Sequence, residues 1–472
     1  MLNIKKRLIF VSPFVLRKFT TMKENRGSFS GKLGVVAVAA GSAVGLGNIW
    51  RFPYIAGENG GGAFLIVYLI FVFLIGVPVM LSEFAIGRKA GCNAYGTFKR
   101  LSPKGGWWLV GLMGIIAAVM IFSFYGTVAG WTLEYVKKSI CNDFAGQDVA
   151  ALAQTFGDFT SQPVMPTVWM IIFVALTALV ILFGVEKGIE KVSKVLMPIL
   201  LVLIIAICVR AVTLPNASKG LEFLFKPDWS SLTFKGVLMA LGQAAFSLSI
   251  GMGTMITYGS YIKKDTPLAS TAIEIATCDT VVALLGAIMV FPTLAFLGAE
   301  SAGGPGLVFI TLPAIFQAMP GGYIFAILFF LLLSVAALTS TISLLEVPVA
   351  FLVDEFKMSR KKATLLSSSV IIFLGVFCTL SFGLLSDFTI FGKTIFDLFD
   401  YTTANIMLTF GALLIVIYVG WFFGRKKFIE ELTAGGKGNV KLAKFISILV
   451  KFVAPVGIGL VAIGSLVIGG IV

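Results

Sequence analysis

The chain alternates long apolar runs with short polar segments. Eleven runs emerge, at roughly 33–57, 63–88, 107–137, 166–184, 193–213, 236–262, 268–297, 323–355, 363–383, 394–423 and 445–470. Each is as long as the ~18 residues a bilayer-crossing helix needs. None shows the period-2 alternation of a transmembrane barrel strand. The pattern therefore predicts an all-α polytopic membrane protein with about 11 transmembrane helices.

Two of the runs are interrupted at mid-length. Span 1 carries GSAVGLG (41–47), and span 6 carries GQAAFSLSIGMG (242–253). Glycines in a span either let helices pack closely or mark unwound backbone. Unwound backbone in a bilayer costs several kcal/mol unless its polar groups find partners. The two interruptions correspond if residues 33–213 and 236–423 are two five-helix repeats, followed by an eleventh span in 445–472. Glycine-interrupted spans in matching positions of two halves point to a transporter's binding site near the membrane midplane. Helix breaks there offer carbonyl ends to cations and amide ends to anions.

Composition agrees with the pattern. Apolar residues make up 58% of the 472 residues and charged ones only 13%, against about 25% charged in soluble domains; the mean hydropathy is +0.99. The net charge of +14 does not indicate a nucleic-acid partner, because the cations sit in alternate loops. Arg88, Lys89, Lys99, Arg100 and Lys104 follow span 2. Lys187, Lys191 and Lys194 follow span 4, and Lys263 and Lys264 follow span 6. Lys357, Arg360, Lys361 and Lys362 follow span 8. Arg425, Lys426, Lys427, Lys437 and Lys441 follow span 10. By the positive-inside rule these loops and the N-terminal segment (1–32) are cytoplasmic, and eleven spans then put the C-terminus outside. Asp143, Asp148 and Asp158 lie on the other side. Residues 1–21 imitate a signal peptide but hold Pro13 and several cations, and a mis-called start with translation from Met22 is expected. The chain has no histidine and no CxxC pair, which excludes histidine-based catalysis and histidine metal sites. Cys208, Cys278 and Cys378 fall in spans, Cys92 in a cytoplasmic loop and only Cys141 outside, so no disulfide framework is expected. No enzyme motif is present.

The stretch GSAVGLGNIWRFPYIAGENGGGAF resembles the first-helix signature of the neurotransmitter:sodium symporter family. FSLSIGMG in span 6 and AALTSTISLLEVPVAFLVDE (336–355) in span 8 extend the resemblance, which runs from about Arg26 to the end of span 11. Its eleven-span layout looks like that of many bacterial members. It implies two inverted five-helix repeats, location in a bacterial inner membrane, and sodium-coupled uptake of a small substrate by alternating access. It also implies two sodium ions. The first would use the Ala43 carbonyl, Asn48, Ser247 and Asp279. The second would use the carbonyls of Gly41, Val44 and Ala336 with the hydroxyls of Thr339 and Ser340. Oxygen ligands suit a hard cation, although Thr339 and Ser340 could instead bond their own helix. An intramembrane carboxylate such as Asp279 is functional by default. Chloride-dependent relatives carry a serine where this chain has Ala283, so no chloride requirement is expected.

By the same resemblance Tyr125, with the amides of Leu46 and Gly47, meets a substrate carboxylate, and Phe246 closes over the ligand. Glu83 holds the unwound backbones of spans 1 and 6. Arg51 with Asp400, and Arg26 with Asp354, form outer and inner gates; a family tryptophan beside the inner gate is Phe29 here. Gly188 and Pro198 match a family spacing at which span 5 can unwind. Monoamine carriers of the family place an aspartate where this chain has Gly45, so the ligand should bring its own carboxylate. Ser247 and Ser340 border the ligand as well as the ions, and the amine would bond the carbonyls of Ala43 and Phe246. Ile121, Phe246, Ser249, Met252 and Leu344 would line the side-chain pocket without a charge. Met252 replaces a phenylalanine of several relatives and makes room, so a large neutral amino acid is expected, tyrosine or tryptophan ahead of leucine. A substrate-sensing receptor on the same fold and a sodium channel are the alternatives. Glu346 has no role in this reading, and the oligomeric state is open.

Overall fold

The computed structural model describes residues 27–297, 306–436 and 438–468, and these are helical almost throughout. Nine continuous helices among them are long and apolar enough to cross a membrane: Gly62–Ala90, Trp108–Ile140, Met165–Leu182, Val185–Val212, Leu268–Phe296, Gly322–Phe356, Arg360–Leu380, Ile395–Phe423 and Val440–Gly464. They are spans 2–5 and 7–11. Spans 1 and 6 are the two broken ones. Span 1 is Lys32–Ala43 followed by Gly47–Glu58, bent by 54° at the break. Span 6 is Phe234–Ser247 followed by Thr254–Gly259, with six residues of irregular backbone between them. All eleven apolar runs thus fold as helices, and both interruptions are real breaks rather than tight helix crossings.

The breaks have local causes. Span 1 stops where Val44 turns extended (ψ 107°), and it resumes through a π-turn at Gly47–Arg51. In span 6, Gly251 and Gly253 adopt φ of +86° and +76°, which an L side chain rarely takes. Gly251 also has no room for one, since a Cβ there would stand 2.3 Å from the Leu408 carbonyl of span 10. Ser249 holds a φ of +53° without being glycine. Its hydroxyl donates to the Ser42 carbonyl at 2.9 Å and ties one break to the other.

Spans 3 and 8, the longest helices, pack along each other, and spans 4 and 9 pack against span 3. Span 7 lies against both halves of span 1. Span 2 backs both halves of span 6. The broken segments are therefore enclosed by spans 2, 3, 7, 8 and 10. The connecting loops are more helical than the apolar pattern predicts. Ala94–Leu101, Val149–Ser161, Ala217–Phe225 and Leu312–Ala318 are short helices in segments without a spanning signal. Ala94–Leu101 starts from Asn93, whose side chain accepts the Gly96 N–H. Span 5 enters through a π-turn at Val185–Glu190 containing Gly188 and stays helical past Pro198.

Candidate functional site

The two breaks face each other around a cavity of about 40 Å³. Ile121, Tyr125, Phe246, Ser249, Met252 and Leu344 line it, as the sequence predicts, together with Ala43, Gly47, Ser247 and Ser340. Gly45, Ser42 and Ser343 complete the wall. The Leu46 N–H donates to the Tyr125 hydroxyl at 3.3 Å, so a freed helix-end amide and a phenol meet at the mouth of the second half of span 1. That pairing suits a carboxylate, which can accept from both groups. An aspartate at Gly45, as in monoamine carriers, would have to displace the Ser340 hydroxyl: a Cβ there would lie 2.5 Å from Ser340 Oγ.

Ser42 and Ser343 escaped the sequence reading, because small hydroxyls in a span look like helix packing. The structure gives them a shared arrangement. The Ser42 hydroxyl donates to Ser343 Oγ at 2.8 Å, and the Ser343 hydroxyl donates to the Ser340 carbonyl at 2.6 Å. Ser249 spends its proton on the Ser42 carbonyl. Three serines on the cavity wall have committed their protons to protein oxygens and keep only lone pairs for a ligand.

Beside the cavity lies Asp279, fully buried in span 7. Asn48 Nδ2 donates to its Oδ1 at 2.7 Å, and the Ser247 hydroxyl donates to its Oδ2 at 2.7 Å. Asn48 Oδ1 in turn accepts the Gly45 N–H at 3.1 Å. Tyr68 of span 2 reaches the same group, with its hydroxyl 3.4 Å from Ser247 Oγ and 3.5 Å from Asp279 Oδ2. Nothing distinguished Tyr68 in the apolar run AFLIVYLIF. Gln243, another lone polar group in a span, donates to the Gly47 carbonyl at 3.4 Å. No lysine or arginine lies within 4.0 Å of Asp279 among the described residues. The carboxylate is thus surrounded by neutral donors, an arrangement that lacks its counter-charge.

A second oxygen cluster sits where span 8 meets the break in span 1. Thr339 Oγ1 is 3.4 Å and Ser340 Oγ 3.5 Å from the Val44 carbonyl. Thr339 also donates to the Ala336 carbonyl at 2.9 Å, so part of its capacity is used within its own helix. Gly41 comes so close that its Cβ would be 3.4 Å from Thr339 Cβ. The cross-helix separations exceed the usual 2.7–2.8 Å of O–H···O bonds. The Val44 and Ala336 carbonyls and the Thr339 and Ser340 hydroxyls are neutral oxygens of the kind a hard cation prefers, and Gly41 lies beside them.

Glu83 is buried and accepts the Gly251 N–H at 2.6 Å, and the amides of Met255 and Ile256 face the same carboxylate. It supports the break of span 6 in this way; the expected bond to the break of span 1 is not made, since its Oε2 takes no hydrogen bond. Arg51 and Asp400 interact electrostatically, but they stand farther apart than the 4.0 Å of an ion pair. The Arg51 guanidinium instead lies 4.4 Å from the centre of the Phe246 ring, a cation–π contact, because the π-turn at Gly47–Arg51 aims it over the cavity. Arg26 lies outside the described residues. Asp354 accepts the Asn93 backbone N–H at 2.8 Å.

Phe29 is almost fully buried, edge-on to Tyr258 and Tyr261 at 5.8 Å each. Next to it stands a cluster the sequence left unassigned. Glu346 accepts from Arg360 Nη2 at 2.6 Å, from Arg360 Nη1 at 3.1 Å and from the Tyr261 hydroxyl at 2.6 Å. Arg360 Nε reaches the Ile181 carbonyl at 2.6 Å. Spans 4, 6, 8 and 9 are thereby joined on the basic side.

Two broken helices, buried oxygen clusters at both breaks and a cavity between them define a multi-pass membrane transporter. The chain belongs to the Sodium:neurotransmitter symporter family, whose family model matches residues 26–155 and 143–469. It is 38% identical over 430 residues to the uncharacterized sodium-dependent transporter YhdH of Bacillus subtilis, an alignment covering 91% of this chain and 95% of that one. It is 37% identical over 461 residues to an uncharacterized sodium-dependent transporter of Haemophilus influenzae, covering 95% and 100%. Among solved structures it is similar to MhsT in complex with L-phenylalanine, with a TM-score of 0.86 and 43% identity over 93% of this chain and all of that one.

Proposed function

We propose that the chain is a sodium-coupled symporter of a bacterial inner membrane that imports a neutral hydrophobic or aromatic L-amino acid, tyrosine and tryptophan ahead of leucine. The observation that carries this is the buried Asp279, ringed by Asn48, Ser247 and Tyr68 with no lysine or arginine within 4.0 Å among the described residues, at the edge of a cavity whose lining residues are all uncharged. A sodium ion supplies the missing charge, and a zwitterionic amino acid completes the site. Its carboxylate accepts from Tyr125 and the Leu46 and Gly47 amides. Its amine bonds the carbonyls of Ala43 and Phe246. The second cluster takes a second sodium. Similarity to a protein solved with L-phenylalanine supports the ligand class.

Closure follows from the elements that meet here. Phe246 and Tyr125 cover the ligand, and Arg51 rides on Phe246, so filling the cavity draws the outer charges together. Loss of the second sodium frees the span 1 break from Thr339 and Ser340. Opening inward then requires the Phe29–Tyr261 plug to part. Each sodium charge moved inward contributes about 2.3 kcal/mol per 100 mV, before any concentration gradient is added. Asp279 provides a permanent negative charge, so chloride is not needed.

The test is uptake of labelled tyrosine into proteoliposomes. Uptake should require an inward sodium gradient and persist when gluconate replaces chloride. Tyrosine, tryptophan and leucine should compete, and glycine, glutamate and lysine should not. Sodium-independent uptake, or better competition by the second group, overturns the reading.

A further inference from the structure

Span 11 carries a lysine deep in its apolar part. Arg425, just past the end of span 10, donates through Nε to Ser447 Oγ at 3.0 Å, which fixes the level of the basic loop on span 11. Lys451 lies one helical turn deeper, about 6 Å. No carboxylate stands within 4.0 Å of it among the described residues. Its Nζ is instead 6.0 Å from the centre of the Trp421 ring and 5.4 Å from that of Phe452. Both rings face outward, 48% and 57% exposed, on a lipid-facing stripe that continues through Val456 and Leu460.

The backbone is specialised at this point on both helices. Span 10 ends in a π-turn at Tyr418–Phe423, and span 11 contains one at Leu449–Val453. The two turns meet, with a Cβ on Gly420 only 3.2 Å from Lys451 Cα. Such bulges cluster at functional sites. Lys444, Ser447 and Lys451 share one face of span 11, at spacings of three and four residues. With Arg425 bonded to the buried Ser447 hydroxyl, they bring three cations to this stretch of the helix pair, Arg425 and Lys444 exposed and Lys451 half-buried.

We propose that this junction of spans 10 and 11 binds the headgroup of an anionic phospholipid of the leaflet next to the basic loops. The phosphodiester lies among Arg425, Lys444 and Lys451, and an acyl chain runs down Phe452, Val456 and Leu460. A cation placed below the surface of a bilayer is costly unless it faces an opposite charge or water. Basic pockets between spans on this side suit anionic headgroups. Trp421 and Phe452 hold the Lys451 ammonium in reach but carry no charge to balance it.

The test uses the full chain in phosphatidylcholine nanodiscs doped with brominated phosphatidylglycerol or, at the same fraction, brominated phosphatidylcholine. Bromine quenches tryptophan fluorescence on contact, and the part lost in Trp421→Phe reports this site. Brominated phosphatidylglycerol should quench Trp421 more strongly than the neutral lipid. Lys451→Met should lower that preference about fivefold, the effect of one surface cation, while Lys451→Arg retains it. Lys444→Gln should weaken it without touching the buried helix contacts, which keeps the test valid should Lys451→Met fold poorly. Equal quenching by the two lipids overturns the proposal. So does a preference unchanged in both charge-removing variants, or a Trp421 shielded from both lipids by a second copy of the chain.

Discussion

Replacing Ser343 by alanine isolates the cavity's acceptor wall. The Ser42, Ser343 and Ser249 protons are all committed, to Ser343 Oγ, the Ser340 carbonyl and the Ser42 carbonyl. A ligand side chain gains at that wall only by donating. The phenol of tyrosine and the indole N–H of tryptophan donate; phenylalanine and leucine do not. A net hydrogen bond is worth about 0.5–1.5 kcal/mol, and 1.4 kcal/mol is tenfold. Ser343→Ala removes one acceptor and releases the Ser42 proton to point into the cavity, where it meets an incoming donor unfavourably. Half-maximal competition by tyrosine and tryptophan should therefore rise about three- to tenfold, while phenylalanine and leucine stay within about twofold. The assay is sodium-driven uptake in proteoliposomes, with each amino acid titrated against label. Equal losses for tyrosine and phenylalanine would refute the reasoning, since they would show that Ser343 shapes the cavity without reading the ligand.

Four further outcomes are expected. Thr339→Ala with Ser340→Ala should abolish most sodium-dependent thermal stabilisation: two hydroxyls at ~1.5 kcal/mol each amount to over a hundredfold in affinity, and an unchanged sodium titration removes the cluster from the ion path. Asp279→Asn should weaken sodium binding at least tenfold, because a full charge near a cation is worth up to about 4 kcal/mol in this kind of surrounding; a change within twofold in chloride-free buffer excludes Asp279 as a ligand. Glu346→Gln leaves Arg360 without its carboxylate and should destabilise the protein by about 3 kcal/mol, the low end for a buried pair, since Arg360 keeps 26% of its side chain exposed. Thermal unfolding of the single variant and of Glu346→Met with Arg360→Met reads this, the double variant recovering most of the loss. Met252→Phe should shrink the pocket and move the uptake preference from tyrosine toward leucine in the same competition assay.

The apolar runs made the spans legible because a bilayer leaves a chain few choices: most runs are helical close to their expected ends, while span 5 starts eight residues earlier, at Val185, and span 11 five residues earlier, at Val440. The breaks were legible because glycine and paired polar residues have little other reason to stand at the middle of a span. What escaped was of two kinds. Ala94–Leu101 and Ala217–Phe225 are amphipathic and short, and no apolar run announces them; the first is capped by Asn93, the second has no side-chain cap and buries Ala217, Gly220 and Leu224. Tyr68, Ser42 and Ser343 look like packing residues, and only the fold shows which atoms their hydroxyls reach. Glu346 and Arg360 are fourteen residues apart across a turn, and neither sits in a motif that would pair them. The Arg51–Asp400 pair was expected in contact and is found apart, because the guanidinium lies over Phe246.

The close approach of Gly45 to Ser340 also constrains how this scaffold can change its clientele. Acquiring a ligand that has an amine but no carboxylate calls for an acid at position 45, and a Cβ there would stand 2.5 Å from Ser340 Oγ. The obstructing hydroxyl is also one of the oxygens gathered around the Val44 carbonyl. An acid at position 45 must therefore displace the Ser340 hydroxyl, which on the proposed function weakens the second ion site. On the proposed function, ion coupling and ligand chemistry thus share one atom, the Ser340 hydroxyl oxygen.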